Sequence, residues 1–447
     1  MPTPLTGVQE SHSLIVMQNV SHLLRSRRFL PLFVTQFLGA FNDSLFKQVV
    51  VLFVVYQVYS DPTREAQFNA IAQALFILPF FLLSAMAGQL ADIRDKARII
   101  RLVKTAEVGI MLVGGAGLYL GSIPIMLAAL FAMGVHSTFF GPIKYAILPQ
   151  HLHKDEVLGG TGLVEAGTYI AILGGTVLAG LLVLDVRNAA FAVITIALLG
   201  LYSGYKVPHA PPKSVEAPPD WHIVRASIRL VNATMHVPRL FLSILSISFF
   251  WSIGAVLIFA FPQLVKNILG ADELVASLFV ACFSVGVAIG SIAINRLLKS
   301  EVSARFSPVS VLGMGGFVLM LHLISANWDH DFAGELLTLG EFLDHPGATL
   351  MVISLLGIAI CGGMFVVPLY AFLTTTVDPG ENARVVAANN VVNAGAMVGG
   401  LLIAFLLASL GASPNDQLLF IACMCIFAAW LANKLHRACD GVDCSPK

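Results

Sequence analysis

The chain has 447 residues, of which 57% are hydrophobic and only 12% charged, and its mean hydropathy is +0.84. Soluble domains carry roughly 25% charged residues, so a surface of this composition cannot mostly face water. The formal net charge is zero, which argues against a nucleic-acid partner. At about 20 apolar residues per crossing, the length accommodates about twelve helices across a bilayer. The composition therefore predicts an all-α membrane protein.

The apolar runs divide the chain in order. A polar N-terminal segment, residues 1–28, ends in Arg25, Arg27 and Arg28. The first apolar run begins late and is of full length, so we interpret it as a retained helix and not as a secretory signal. Hydropathy predicts twelve spans, near residues 30–58, 69–91, 99–120, 124–146, 160–183, 188–206, 240–265, 274–298, 307–326, 348–374, 386–410 and 416–435. They form an N-terminal bundle (29–206) and a C-terminal bundle (240–436), joined by a linker (207–239) and followed by a tail (437–447).

Lys and Arg are distributed unequally between the connections. Of the 26, 22 fall on the side of the N-terminus, three (Arg64, Arg187 and Lys266) fall on the opposite side, and Lys47 lies within the first span. Positive charges stay on the cytoplasmic side of a membrane, so both termini are predicted to be cytoplasmic.

The linker is expected to be extended at its proline-rich start. From Trp221 to Val231, apolar residues recur at helical spacing opposite Arg225 and Arg229. This pattern fits a short helix at the membrane surface or a solvated helix that ties two domains, and the sequence leaves both open.

An internal repeat relates the two bundles. Residues 140–148 (FGPIKYAIL) match residues 365–373 (FVVPLYAFL), and residues 164–167 (VEAG) match residues 392–395 (VNAG). Two six-helix halves related by an axis along the membrane normal are typical of the major facilitator fold, with the substrate site between the halves near the midplane. A duplicated structural bundle without transport is the alternative.

Charged side chains within a spanning helix cost several kcal/mol unless they are paired or hydrated. In the first span, Asp43 and Lys47 are one turn apart, so we predict that they neutralise each other. Gln36 lies on the same face and Asn42 lies beside it.

A second polar stripe, Thr161, Glu165 and Thr168, lies on the fifth span, and the repeat places Asn389 and Asn393 of the eleventh span at the positions of Thr161 and Glu165. We predict a cavity between the halves, charged on its N-terminal side and lined by amides on its C-terminal side. The alternative is that these groups join helices through hydrogen bonds.

Three other polar residues lie within spans. His136 and His322 are interpreted as interior structural groups. Glu107 is left without a role, with Lys104 or Arg101 as its possible partner near the cytoplasmic interface.

The loop after the second span contains Gly88, Asp92, Arg94 and Arg98. This spacing resembles the conserved loop of the major facilitator superfamily. We predict that it latches the cytoplasmic face through a helix N-terminus and Arg–carboxylate pairs. Charge that serves only to orient the chain in the membrane is the alternative.

Three segments are similar to the lysophospholipid transporter family, including its members fused to acyltransferase domains. They are residues 28–47 (RFLPLFVTQFLGAFNDSLFK), residues 140–166, and residues 368–393 with Pro368, Tyr370 and Arg384. Together with the loop they cover roughly a fifth of the chain. Ser44 departs from the family, which more often has a second asparagine there.

The resemblance implies movement of lysophospholipids from the outer to the inner leaflet of a bacterial inner membrane, where they are reacylated. A zwitterionic or anionic head group needs charges of both signs, and the acyl chain needs apolar surroundings. The predicted substrate-binding residues are Gln36, Asn42, Asp43, Lys47, Lys144, Tyr145, Thr161, Glu165, Tyr370, Asn389, Asn390 and Asn393.

No enzymatic activity, catalytic residue, cofactor or metal is predicted. No His is followed five residues later by Asp, the spacing of glycerolipid acyltransferases. Reacylation would therefore need a separate acyltransferase as partner. Cys439 and Cys444 could ligate a metal but are better read as part of a reduced tail.

Two other functions stay open. One is a proton-coupled transporter of another amphipathic molecule, with Asp43 or Glu165 as the proton carrier. Lys47 favours the charged form of Asp43, which makes Glu165 the better carrier. The other is a membrane scaffold or sensor that does not transport.

Overall fold

The computed structural model describes residues 22–153, 156–212, 222–298, 303–329, 336–375 and 382–440. These ranges contain twelve long helices, as predicted, and a π-helical segment, Val54–Val58, continues the first. The long helices are α1 (Leu30–Phe53), α2 (Pro62–Ile93), α3 (Lys96–Tyr119), α4 (Ile123–Ala146), α5 (Val157–Leu182), α6 (Val186–Tyr205), α7 (Pro238–Asn267), α8 (Glu273–Leu297), α9 (Ser307–Ala326), α10 (Ala348–Thr375), α11 (Asn382–Ser409) and α12 (Pro414–Asp440). Three shorter helices are Leu148–His151, Ile223–Met235 and Leu339–Asp344.

Ten of the long helices are long and apolar enough to cross a membrane over their described residues. The other two, α3 and α5, have 24 and 26 residues, which suffices in length. Charged residues lower the hydropathy of α3, and within the described side chains of α5 the apolar stretch is Ala166–Leu182.

Several helices extend beyond the spans that hydropathy predicts, and two of these extensions meet at one end of the bundle. α2 begins at Pro62 and not near residue 69, because Asp61 caps it by accepting from the Thr63 N–H and Pro62 occupies the first turn. α7 continues to Asn267. Both extensions lie at the end of the bundle opposite the start of α1. We call this end the outer end and the other the inner end, after the predicted topology.

The two halves repeat the same helix pairs. The pairs α1–α5, α2–α4 and α3–α6 recur as α7–α11, α8–α10 and α9–α12. Glycines allow the close approach in both halves: a Cβ on Gly175 of α5 would lie 2.4 Å from the Phe41 carbonyl of α1. A Cβ on Gly400 of α11 would lie 2.3 Å from Ser252 Oγ of α7. The packing supports the internal repeat found in the sequence.

The halves meet where α2 packs on α11 and α7, and where α5 packs on α8. The helix Ile223–Met235 contacts both α2 and α11, so it touches both halves. Ala226 and Thr234 are buried there and Ile228 is exposed. Of the two interpretations of the linker helix, this contact favours a helix that ties the halves.

Candidate functional site

Asp43 lies in the middle of α1 and faces α4. Its Oδ2 atom accepts a hydrogen bond from Ser137 Oγ. Its Oδ1 atom is buried and has no hydrogen-bond partner among the described residues. Since a buried carboxylate oxygen normally has a partner, Oδ1 can accept from a donor on a ligand.

Asp43 and Lys47 form no direct ion pair, although the two charges still attract each other on α1. Lys47 Nζ lies 5.2 Å from the ring centroid of Phe76 on α2, and no ion pair joins it to Asp43 within 4 Å. Ser137 holds the carboxylate toward α4, while the negative face of the Phe76 ring attracts the ammonium group. The two charges therefore lie near each other on one helix without a direct contact.

A buried charged cluster lies beside Asp43. Lys104 Nζ is 2.6 Å from Glu107 Oε2, and His136 Nε2 is 3.3 Å from the same oxygen. Asn42 Nδ2 donates to Glu107 Oε1 at 3.0 Å. Each of these four residues has at most 5% of its surface exposed. The cluster joins α1, α3 and α4 through one carboxylate.

The cluster revises two sequence predictions. Glu107 is paired with Lys104, one of its two possible partners, but deep in the bundle and not at the interface. Lys104 counted as an inner-side charge in the sequence, yet its side chain is fully buried in α3. The spacing of Lys104 and Glu107, three residues apart on one helix face, was the signal that could have identified the pair.

The bundle makes room for the Lys104 ammonium group. A Cβ on Gly39 of α1 would lie 2.6 Å from Lys104 Nζ, and one on Gly204 of α6 would lie 3.4 Å from Lys104 Cγ. The Phe140 ring centroid lies 5.2 Å from the same Nζ. Glycines on two neighbouring helices thus shape a space that a longer side chain would fill.

Gln36 joins α1 to α5. Its Nε2 donates to the Val164 carbonyl at 3.3 Å, and its Oε1 accepts from Thr168 Oγ1 at 2.9 Å. Thr168 belongs to the predicted stripe on α5. The side chains of Tyr145, Thr161 and Glu165, also predicted for this site, lie outside the described residues.

The C-terminal half carries a neutral network at its predicted site. Ser248 Oγ of α7 donates to Asn393 Oδ1 at 2.7 Å. Tyr370 Oη accepts from Trp251 Nε1 at 2.8 Å and from Asn393 Nδ2 at 3.4 Å. The repeat therefore identified Tyr370 and Asn393, while Ser248 and Trp251 carried no signal in the sequence.

The remaining predicted residues differ in exposure. Both amide atoms of Asn389 are buried without a hydrogen-bond partner among the described residues. Asn390 is exposed and Lys144 is half-buried. Asn389 thus resembles Asp43 Oδ1, because both are buried polar groups that can still form a hydrogen bond with a ligand. Asn390 points away from the core.

The sequence analysis predicted that Asp92, Arg94 and Arg98 contact a helix N-terminus and form ion pairs. At the inner loop it is Asp95 that caps a helix and contacts a basic side chain. Its Oδ1 accepts from the Ala97 N–H at 2.9 Å and the Ala210 N–H at 3.1 Å, and its Oδ2 lies 2.7 Å from His209 Nδ1. Partial burial opposes ionisation, but the His209 and backbone hydrogen bonds hold the pKa of Asp95 below its usual range. These contacts join the start of α3 to the start of the linker.

The residues predicted to form the latch are placed differently. Arg94 and Arg98 are exposed, and neither pairs with a described carboxylate. A Cβ on Gly88 would meet no atom within 4 Å, so no close helix approach requires this glycine. The Asp92 side chain lies outside the described residues.

The outer ends of the halves are joined by a polar closure. Lys266 Nζ of α7 is 2.5 Å from Glu65 Oε1 of α2, and it donates to the Tyr59 carbonyl at 3.0 Å. Asn267 Nδ2 donates to Glu65 Oε2 at 2.7 Å. Deeper along the same helices, Asn69 Nδ2 donates to the Phe259 carbonyl at 2.6 Å. The structure is therefore closed at its outer end, and three of the residues that close it, Glu65, Lys266 and Asn267, had been placed in loops by the sequence analysis.

Two six-helix halves with polar groups at their boundary and a closed outer end define an alternating-access membrane transporter. The chain belongs to the Major Facilitator Superfamily, whose family model matches residues 32–393.

Curated relatives are similar over most of the chain. The lysophospholipid transporter LplT of Photorhabdus laumondii is 27% identical over 357 residues, which cover 78% of this chain and 80% of that protein. The lysophospholipid transporter LplT of Citrobacter koseri is 29% identical over 355 residues, 78% of this chain and 80% of that protein.

Solved structures share the fold. A bacterial homologue of the human lysosomal transporter Spinster, in an inward-facing, occupied conformation, aligns with a TM-score of 0.71 and 14% identity, covering 95% of this chain and 99% of that one. The D-xylose–proton symporter aligns with a TM-score of 0.66 and 14% identity, covering 91% of this chain and 98% of that one.

Proposed function

We propose that this chain is a secondary transporter that moves lysophospholipids across a bacterial inner membrane, from the outer to the inner leaflet, by alternating access. The observation that carries the proposal is the similarity of 78% of the chain to curated lysophospholipid transporters. Membership of the Major Facilitator Superfamily supplies the mechanism class.

The polar groups on α1 suit a zwitterionic head group. The Lys47 ammonium is unpaired with Asp43 and can attract a phosphate, while Asp43 Oδ1 can accept from a head-group ammonium. Lys144 and Glu165 are further candidates for the same contacts. On the opposite side of the boundary, Asn389 and Asn393 would provide neutral hydrogen bonds to the glycerol part of the lipid.

The closed outer end corresponds to a state in which lipid would leave toward the inner leaflet. Import would require the Glu65–Lys266 pair to open, so that a head group can enter from the outer leaflet. The acyl chain would remain in apolar surroundings between helices during the exchange.

The cellular setting follows from the same proposal. Both termini would lie in the cytoplasm, as the distribution of Lys and Arg indicates. The protein would carry out no chemistry, and a separate acyltransferase would reacylate the delivered lipid. Addition of an impermeant maleimide to intact cells tests the orientation: a cysteine introduced at Arg437 should stay unlabelled and one at Arg187 should react.

Uptake by spheroplasts tests the transport function. We expect labelled lysophosphatidylethanolamine to accumulate in spheroplasts that express the chain. Asp43→Asn and Lys47→Gln should each lower the rate at least about tenfold, which corresponds to ~1.4 kcal/mol. Asp329→Asn and Lys434→Gln are matched controls, since both residues are exposed, and should transport like the wild type.

The proposal fails if protein that is folded in the membrane gives no uptake above vector. It also fails in its site if Asp43→Asn and Lys47→Gln both transport normally. In that case the charges on α1 would serve only the packing of the helices.

A further inference from the structure

The connection between α9 and α10 distinguishes the outer ends of the two halves. It covers residues 327–347, of which 327–329 and 336–347 are described, and we call these described residues the outer strap. The repeat pairs it with the connection between α3 and α4, which consists of residues 120–122. Since the N-terminal half packs the same helix pairs without such a segment, the shared fold does not require the outer strap.

An aromatic stack fixes the outer strap to the C-terminal half. The Trp328 ring stacks on His345 and on Phe342, with centroid distances of 3.8 and 5.6 Å. Phe342 is fully buried, and its ring centroid lies 6.2 Å from that of Phe279 on α8. A Cβ on Gly347 would lie 2.9 Å from Trp328 Cζ3, so a larger residue there would displace the ring. The stack therefore gives the outer strap a defined position against α8.

The outer strap satisfies the backbone of the turn between α7 and α8. Trp328 Nε1 donates to the Leu269 carbonyl at 3.2 Å, and the Leu337 N–H donates to the Gly270 carbonyl at 2.7 Å. The Leu337 carbonyl accepts from the Asp272 N–H at 3.0 Å. Buried backbone groups outside a helix need such partners. The outer strap therefore fixes the shape of the α7–α8 turn.

The same turn carries contacts to the N-terminal half. Tyr56 lies in the π-helical segment that continues α1, and its hydroxyl donates to the Ala271 and Asp272 carbonyls, each at 3.2 Å. Lys266, which pairs with Glu65, lies in the last turn of α7, directly before the α7–α8 turn. The outer strap thus binds two successive carbonyls of the turn, and the N-terminal half binds the next one.

The contacts with Tyr56 and Glu65 cross between the halves and are lost when the outer end opens, whereas the contacts of the outer strap with the α7–α8 turn lie within one half. A turn that is already ordered loses less conformational entropy when it meets its partners. We infer that the outer strap keeps the α7–α8 turn in the shape that these partners need and thereby stabilises the outer-closed state. Trp328 and Leu337 are positioning residues that act through the turn. The inference does not depend on the identity of the transported molecule.

Distances between spin labels test the effect on the closed state. In a background without other cysteines, one pair of labels is placed at Leu120 and Leu410, which are exposed at the outer ends of α3 and α11. A second pair is placed at Leu102 and Leu297, which are exposed near the inner ends of α3 and α8. In lipid nanodiscs, Trp328→Ala should raise the fraction of molecules with a long outer distance at least about threefold. The same fraction should show a shorter inner distance, whereas a general loss of structure would broaden both distributions.

Two further variants make the distance measurement specific. Trp328→Phe retains an aromatic ring and loses the N–H donor to Leu269, so it should give a smaller shift in the same direction. Trp430→Ala is the matched control, since this half-exposed tryptophan lies on α12 with Lys434 Nζ 3.8 Å from its ring centroid. It should leave both distances unchanged. Unchanged outer distances in Trp328→Ala, or the same shift in Trp430→Ala, overturn the inference.

A double-mutant cycle tests whether the outer strap acts through the α7–α8 turn. Tyr56→Phe removes the hydroxyl that donates to this turn, and it should also raise the fraction with a long outer distance. Combined with Trp328→Ala, its effect on the free energy of opening should be less than additive, since both variants act on one turn. Full additivity overturns the coupling. Neither measurement uses a lipid substrate, so failure of the proposed function leaves the result unaffected.

Discussion

The N-terminal and C-terminal halves repeat one packing scheme but differ in the chemistry of their interiors. In the first half, Lys104, Glu107 and His136 are buried beside Asp43. In the second half, the described contacts at the corresponding depth join neutral groups, namely Ser248, Asn393, Tyr370 and Trp251. Close helix contacts need only small residues, so both halves have them. A buried charge is retained only where its partners are also present. The asymmetry indicates that charge recognition is concentrated in the first half.

The largest effect on stability is expected when a charge is removed from the buried cluster of the first half. Lys104→Met leaves Glu107 as an uncompensated buried carboxylate, and breaking a buried pair costs about 3–5 kcal/mol. Thermal unfolding in detergent should show a large loss of stability. The double variant Lys104→Met/Glu107→Gln should recover most of it. A single variant as stable as the wild type would show that Lys104 and Glu107 are not a coupled pair.

The neutral network of the second half should be less sensitive. Asn393→Ala removes the acceptor of Ser248 and a donor to Tyr370, and an unsatisfied buried group costs about 1–3 kcal/mol. The same unfolding measurement should therefore show a smaller loss than Lys104→Met. Adding Ser248→Ala should cost little more, since its partner is already gone. The reverse order of stability would refute the contrast between the halves.

The contact that joins the halves can be tested separately. Glu65→Gln weakens the ion pair with Lys266, and we expect the outer end to open about tenfold more often, or ~1.4 kcal/mol. The probe is a cysteine at Ser277, which is buried where α5 meets α8, in a background without other cysteines.

An impermeant maleimide added from outside should then label this cysteine faster in Glu65→Gln than in the wild-type background. Arg64→Gln, one residue away and exposed, is the control and should leave the rate unchanged. Equal labelling rates in Glu65→Gln and in the wild-type background would show that the Glu65–Lys266 pair does not hold the outer end closed.

The smallest effect concerns the inner loop. Asp95 caps α3 and accepts from His209, so Asp95→Asn should lower stability by about 1 kcal/mol at neutral pH. Because the pKa of folded Asp95 is depressed, its contribution is present above the usual Asp value of about 3.9 and is lost as pH falls through the folded pKa. The stability difference between wild type and variant should shrink in that acidic window. A difference that stays constant there would exclude the ionic contribution.

The sequence predicted much of the fold because lipid imposes a simple rule on composition. Apolar runs of about 20 residues located all twelve helices, and the repeat assigned them to two halves. The start of α2 was placed too late because hydropathy does not detect its polar first turn, which is helical because Asp61 caps it and Glu65 pairs with Lys266. Glu65 was placed in a loop for this reason, although Asp61 and Pro62 carried a helix-start signal.

For the candidate site, the sequence by itself identified the residues whose burial costs free energy, among them Asp43, Lys47 and Glu107. Only the tertiary structure decided their partners: Asp43 contacts Ser137, 94 positions away, and Glu65 pairs with Lys266, 201 positions away. Spacing along one helix predicted an Asp43–Lys47 pair, but a side chain selects among all neighbours that packing brings within reach. A local rule can therefore name the charges, while the three-dimensional arrangement of distant helices determines what each charge binds.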